Sequence, residues 1–249
     1  MEWHDEGYVL AARRLGESDV ILSLLTREHG RHAGLVKGGG GRRGAALYEI
    51  GNRLRAGWRG RLPEQLGHYI CEVQAQPAAR LLDEPLRLAA LASAAAVLEA
   101  AMPEREPHPR AFEGFGALIE SLLGAEALLD WAALYVRFEL ELLAELGFGL
   151  DLSRCAVSGA TTDLAFVSPA SGRAVSAGAA GIWRDRLLPL PAFLTGGPTG
   201  GPTGGPGGVV ADLPAIRQGL ALTGSFLERH ALQRLPPARG RFLARLQRG

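Results

Sequence analysis

The sequence predicts an α+β protein with a small five-stranded barrel at the N-terminus, followed by a mainly α-helical domain. Residues 7–76 hold five short runs rich in β-branched, leucine and aromatic side chains, with glycine and charged turns between them. Five strands in about 70 residues are typical of a closed or partly open barrel. After Pro77, apolar residues recur at spacings of three and four, which is the helical period.

Each predicted strand is a run of four or more residues that ends at a turn signal. The runs are YVLAARR (8–14), VILSLLT (20–26), HAGLVK (32–37), NRLRAGWRGRL (52–62) and HYICEVQ (68–74). The segments between them are ESD, EHGR, a glycine-rich loop and a second glycine-containing turn. Glycine and charged residues favour turns because they tolerate unusual backbone angles or solvation.

Five helices are predicted, at 85–102, 110–124, 127–146, 212–232 and 237–247. The third is the clearest, because one apolar stripe runs along it: Leu128, Trp131, Tyr135, Phe138, Leu142 and Leu146. Residues 147–182 are irregular, and residues 195–208 repeat Gly, Pro and Thr, a composition typical of a disordered insertion. We therefore predict domains at 1–78 and 79–249.

The charge distribution is uneven, although the chain has a net charge of only +1. Residues 27–61 carry nine basic and two acidic side chains, whereas residues 81–150 carry four basic and twelve acidic ones. Residues 151–249 are basic again, with eleven basic and five acidic side chains. Basic segments of this kind indicate a polyanion partner, or else a solvated arginine-rich surface.

The stretch VKGGGGRRG at 36–44 contains Lys37, the one lysine of the chain, with Arg42 and Arg43. It does not match a phosphate-binding P-loop, which needs its lysine after the glycines and then Ser or Thr. It does not match a dinucleotide fingerprint either, because we expect no helix to start on this loop. Two interpretations remain: a plain turn, or a flexible basic flap that grips a nucleic-acid backbone.

The strand RLRAGWRGRL alternates arginines with apolar residues. Alternate side chains of a strand face opposite ways, so this pattern predicts a row of cations outside and Leu54, Ala56 and Trp58 in the core. No acidic row lies nearby in sequence to neutralise the cations, which favours phosphate binding over a face kept for solubility. The predicted nucleic-acid-binding residues are Lys37, Arg42, Arg43, Arg53, Arg55, Arg59 and Arg61.

We find no catalytic constellation and expect no cofactor. The motifs HExxH and GxSxG are absent from the sequence. Cys155 is followed at the spacings of a zinc ribbon by Ser158, Ser176 and Ala179, so we predict no structural metal. Cys71 lies in a predicted strand, which favours a buried, unreactive thiol. No signal peptide and no apolar run of about 18 residues is recognisable, so we expect a cytoplasmic protein without membrane contact.

The opening GYVLAARRLGESDVILSLLTREHGRHAGLVKGGGGRRG resembles that of the RecO family of bacterial recombination mediators. The shared pattern is a Gly-x-Val-Leu start, a Gly-Glu-x-Asp turn, a Leu-Leu-Thr strand end and a basic glycine loop. The segment LLAELGFGLDLSRCAVSGATTDLAFVSPASGRAVS also resembles the family's C-terminal domain where it enters a zinc-binding or zinc-less knuckle.

The resemblance implies an OB-fold for residues 1–78 and a helical C-terminal domain with a degenerate knuckle at 147–182. It implies binding of single- and double-stranded DNA, strand annealing and help in loading the RecA recombinase in the RecF pathway. It implies RecR and the C-terminal tail of single-stranded-DNA-binding protein as partners, and a nucleoid-associated location. The departures are the missing cysteines and the repeat at 195–208.

Other function classes stay open on the residues alone. An RNA-binding OB-fold module would have the same barrel, and recognition of the 2′-hydroxyl would distinguish it. A protein-interaction adaptor would use the same basic faces against acidic protein tails. An enzyme built on the acidic helices lacks an assembled site.

Overall fold

The computed structural model describes residues 1–62, 64–124, 127–195 and 211–248, without the side chain of Arg43. The predicted Gly/Pro/Thr insertion lies outside the described residues from position 196 onwards. The chain forms two compact units, residues 1–123 with 236–249 and residues 124–235. Helices of the predicted second domain therefore accompany the barrel in the first unit, and the predicted boundary at residue 78 stays a prediction.

The first unit contains the five predicted strands, closed into a barrel. They are β1 (Glu2–Leu15), β2 (Asp19–Thr26), β3 (Gly30–Val36), β4 (Arg53–Arg59) and β5 (His68–Ala75). Their order around the barrel is β1-β2-β3-β5-β4, with the long β1 pairing both β2 and β4. The β3–β5 pairing is parallel and the others are antiparallel. The α+β class and an OB-like barrel are thus confirmed.

The barrel interior is filled by alternate side chains from its strands. Leu54, Ala56 and Trp58 are at most 1% exposed, which confirms the phase predicted for β4. The Trp58 indole Nε1 donates a hydrogen bond to the Leu66 carbonyl at 3.0 Å, so the one polar atom of this ring is satisfied inside the core.

The helices follow the predicted pattern. They are α1 (Arg42–Leu47), α2 (Pro77–Arg80), α3 (Pro85–Ala101), α4 (Pro109–Leu123), α5 (Leu128–Glu145), α6 (Leu213–Phe226) and α7 (Pro237–Leu246). In the first unit α3 packs along α7, and in the second α5 packs against α6. Each of the five predicted helices is present, although the last turn of the fourth is a π-helix, Leu227–Ala231. None of the described helices has the length and hydropathy needed to cross a bilayer.

The irregular part of the second unit holds a small sheet of β6 (Leu164–Val167), β7 (Ala174–Ser176) and β8 (Leu188–Pro189), in the order β7-β6-β8. Beside it, the sulfur of Cys155 accepts hydrogen bonds from the backbone N–H groups of Ser158 and Ser176 at 3.4 and 3.3 Å. One thiol with serine hydroxyls does not fit zinc, whose structural sites use four Cys, His or carboxylate ligands. The degenerate knuckle stays an interpretation.

Candidate nucleic-acid interface

The predicted cation row follows the outer face of β4. Arg55 and Arg59 are exposed and Arg53 is half-buried, while the residues between Arg53 and Arg59 alternate as expected for a strand. Arg53 and Arg59 are six residues apart, or roughly 20 Å along a strand. Arg61 lies beyond the end of β4 and is also exposed. The arginines of β4 thus share the outer face of the strand, but each has different neighbours.

Arg53 is occupied by an internal partner. Its guanidinium donates a short hydrogen bond to the Glu6 carboxylate and lies 5.9 Å from the centre of the Tyr8 ring. The hydrogen bond to Glu6 raises the pKa of Arg53, and the same bond lowers the pKa of Glu6. Arg53 is therefore already paired within the protein, which makes it less available to an external anion than an unpaired arginine.

Acidic side chains lie beside the row, on strands distant in sequence. In the register of the barrel, Arg55 stands between Glu6 of β1 and Glu72 of β5, and Arg59 stands opposite Glu2. Residues directly opposite each other on antiparallel strands share a face. No acidic row lies near these cations in sequence, but strand pairing brings carboxylates beside Arg55 and Arg59 in the barrel.

At the end of β4 the surface opens into a cleft. Arg59 and Arg61 line an open cleft of about 710 Å³ together with Gln65, Gly67 and His68 of the β4–β5 connection. The cleft also reaches Leu35, which pairs with His68 where β3 meets β5.

Lys37 lies at this same end of the barrel. It follows β3 two residues after Leu35 and is exposed. Because β3 ends at Val36 and Leu35 pairs with His68 at the start of β5, Lys37, Arg59 and Arg61 lie at the same end of the barrel. In the part of the chain that the structure describes, no ion pair is recorded for any of these three side chains.

The glycine loop is ordered by contacts within the protein. Gly38 has a φ of 66°, and its N–H donates to the Asp19 carboxylate at 2.9 Å. The Gly40 N–H donates to the Ser18 carbonyl at 2.7 Å. A Cβ on Gly44 would lie 2.0 Å from the Gly39 carbonyl oxygen. Gly38 and Gly44 are therefore required by the conformation and packing of the loop itself.

Helix α1 begins at Arg42, directly after the loop. The expectation that no helix starts here is therefore wrong, because the glycines let the chain fold back on the β1–β2 turn and enter a helical turn. The P-loop and the dinucleotide motif stay excluded by the position of the lysine and by the lack of a βαβ unit around the loop. Arg42 is exposed on α1, and the side chain of Arg43 is outside the described atoms.

Sequence reasoning missed Arg14. This exposed arginine, near the end of β1, lines a cleft of about 260 Å³ with Gly39, Gly40 and Tyr48. The sequence does show two adjacent arginines, Arg13 and Arg14. Only the structure shows that Arg13 forms an ion pair with Glu99 at 3.3 Å, whereas Arg14 lines the cleft. The basic glycine loop thus has an additional cation beside it.

The geometry suits the binding of an anion along a surface. Phosphate groups are held by exposed Lys and Arg side chains without any need for a catalytic group. Among the described residues, no cluster of His, Cys, Asp and Glu could hold a metal ion. The cations at the end of β4 and after β3 therefore form the part of the predicted set best placed to contact a polyanion.

Comparison with known proteins places the chain in a family. The model described as Recombination protein O N terminal matches residues 1–74, and that described as Recombination protein O C terminal matches residues 82–237. The chain belongs to the RecO family. The predicted resemblance is confirmed, and the predicted boundary at residue 78 falls between the two RecO matches.

Relatives within the RecO family cover the whole chain. A protein of Rhodospirillum centenum named DNA repair protein RecO is 49% identical over 100% of this chain and 96% of its own length. The protein of the same name from Rhodospirillum rubrum is 48% identical over 100% of this chain and 97% of its own. That of Methylobacterium nodulans is 49% identical over 92% and 90%.

Proposed function

We propose that this chain is a DNA repair and recombination mediator that holds DNA by its phosphates at the end of the barrel where β3, β4 and β5 meet. RecO family membership supports the repair role. The observation that carries the DNA contact is that Arg59 and Arg61 line an open cleft, at the end of the barrel where Lys37 follows β3. Arg42 and Arg55 are exposed members of the proposed set, although Arg55 stands between Glu6 and Glu72, and Arg43 belongs to the set on the sequence pattern alone. Arg53 contributes least because Glu6 holds it.

Contacts of this kind suit strand annealing. A mediator that neutralises phosphates and leaves the base edges untouched allows two complementary strands to approach and pair. It needs no proton transfer and no nucleophile. We infer that the chain binds single- and double-stranded DNA, anneals complementary strands and assists RecA loading together with RecR. The C-terminal tail of single-stranded-DNA-binding protein completes the proposed set of partners.

The test is the salt dependence of binding to a labelled single-stranded DNA. Each lost phosphate contact lowers the slope of log affinity against log salt by about 0.7 on a single strand. We expect the triple variant Lys37→Gln, Arg59→Gln, Arg61→Gln to lower the slope by about 2. A matched control, Arg241→Gln, Arg245→Gln, Arg248→Gln, removes the same charge from α7 and the residues just after it, where all three arginines are exposed.

The control separates a local contact from a change in net charge. Equal effects of the two triple variants would refute the proposed site, because the loss would then follow total charge alone. A wild-type chain that binds RNA and rejects DNA of the same sequence would favour the RNA-binding interpretation. Annealing of complementary DNA strands, measured with the same variants, should fall in parallel with their DNA affinity.

A further inference from the structure

A short exposed segment of the second unit combines an aromatic ring with arginines. The 3₁₀ helix Gly181–Arg186, with the sequence GIWRDR, has all six of its residues exposed. Trp183 is 56% exposed and Ile182 is 90% exposed. The other three tryptophans differ: Trp58 and Trp131 are at most 2% exposed, and Trp3 is half-buried against the barrel core. Ile182 and Trp183 thus form an exposed apolar patch flanked by arginines, and apolar patches rimmed by polar residues are typical of interaction surfaces.

The helix geometry aligns a cation with this ring. In a 3₁₀ helix, side chains three residues apart lie on the same side. Arg186 is three residues after Trp183, and its guanidinium carbon lies 5.3 Å from the centre of the Trp183 ring. A guanidinium at this distance forms a cation–π contact, which keeps the ring and the charge together at the surface.

A second cation–π contact holds the segment against the small sheet. The guanidinium carbon of Arg184 lies 5.5 Å from the centre of the Phe166 ring on β6. Phe166 is half-buried, and its strand pairs with both β7 and β8. This contact packs the 3₁₀ helix against β6, while Trp183 and Arg186 remain exposed to solvent.

The shape and charge of the segment favour a nucleic-acid base as the occupant. A base needs only a flat ring and a nearby cation for its phosphate, and base–aromatic stacking of this kind is indifferent to sequence. The segment carries two arginines against one acidic residue, Asp185, which complements a polyanion.

We propose that Trp183, with Arg186, is a stacking platform for one base of a single-stranded nucleic acid. This contact is separate from the phosphate site of the barrel and rests on the proposed DNA-binding function. It gives the chain a second point of contact with a strand, through base stacking rather than phosphate neutralisation.

The test uses the full chain and an oligothymidine probe. Binding should quench tryptophan emission in the wild type, because Trp183 is more exposed than the half-buried Trp3 and the buried Trp58 and Trp131. Trp183→Phe should lose most of this quenching and keep its affinity within about twofold, since phenylalanine also stacks. Trp183→Ala should bind about 5-fold or more weakly, which is the lower limit for loss of one base–aromatic stack. Ile182→Ala is the matched control and should bind within about twofold of the wild type.

Each outcome has a separate meaning. Wild-type affinity in Trp183→Ala, or undiminished quenching in Trp183→Phe, overturns the platform while leaving the barrel site intact. Equal losses in Ile182→Ala and Trp183→Ala also overturn it, since a general apolar contact would then explain both. Quenching of Trp183 by an acidic peptide but not by the oligonucleotide would make the segment a protein-docking surface. No binding of oligothymidine by the wild type would overturn the proposed function as well.

Discussion

Burial of His32 makes the stability of the barrel depend on pH. The side chain is 3% exposed, its ring stands edge-on to Trp58 with centroids 5.1 Å apart, and its Nδ1 lies 3.0 Å from the Tyr69 hydroxyl oxygen. Burial, and then the charge of Arg105, lower the pKa of His32 from 6.5 to about 4. At neutral pH the imidazole is therefore uncharged both in the folded and in the unfolded chain.

The sign follows from which state binds the proton first. As the pH falls below 6.5, His32 is protonated in the unfolded chain but not in the folded one, so acid favours unfolding. The stability is intact above pH 6.5 and is lost as the pH falls towards 4. At about 1.4 kcal/mol for each pKa unit, the interval from 6.5 to 4 corresponds to about 3 kcal/mol in full and about 2 kcal/mol at pH 5.

The measurement is urea unfolding of the wild type and of His32→Gln at several values between pH 7 and pH 4. Glutamine keeps a polar partner for Tyr69 and does not titrate. We expect the variant to be less stable at pH 7, but its free energy of unfolding should fall by about 2 kcal/mol less than that of the wild type between pH 7 and pH 5. Parallel curves for the two proteins would refute the argument, because His32 would then not be the group that takes up the proton.

Two further predictions concern the barrel wall and the buried thiol. A Cβ on Gly34 would lie 2.4 Å from the buried Tyr69 ring, so Gly34→Ala should cost about 1–3 kcal/mol of unfolding free energy, while Gly41→Ala, with open space around it, should cost under about 1 kcal/mol. Similar melting temperatures for both variants would contradict this. Burial raises the pKa of the Cys155 thiol, but hydrogen bonds from Ser158 and Ser176 outweigh it and lower the pKa from 9.0 to about 6. The stability lost in Cys155→Ala should therefore grow between pH 6 and pH 9, which unfolding at a series of pH values would check; a constant difference would contradict it.

Sequence periodicity was sufficient for the elements that depend on local pattern. The alternation around Trp58 placed its ring in the barrel because a strand has a side-chain period of two. The apolar stripe from Leu128 to Leu146 led to a predicted helix at 127–146. The observed helix α5, Leu128–Glu145, differs from it by one residue at each end. An element that buries one face must repeat apolar residues with its own period, and this period can be recognised in the sequence without a structure.

The candidate site was only partly predictable. Arg53 and Arg59 are equivalent in the sequence pattern, yet Glu6 neutralises one of them across 47 positions of the chain. Lys37 and Arg61 are distant in sequence and reach the same end of the barrel through the pairing of β3 with β5. Arg13 and Arg14 are adjacent, and no local signal tells them apart. Only the structure shows that Arg13 pairs with Glu99 of α3 while Arg14 lies beside the glycine loop.

The sequence by itself determined the five barrel strands, the five longer helices and the inward-facing residues of β4, and which segments carry positive charge. These properties arise from side-chain period and composition, which are local along the chain. Only the tertiary structure decided which cations are available to a ligand. Strand pairing brings Glu6 and Glu72 beside the middle of β4 and leaves Arg59 and Arg61 at an open cleft, and electrostatic neighbours are set by distance in space rather than in sequence.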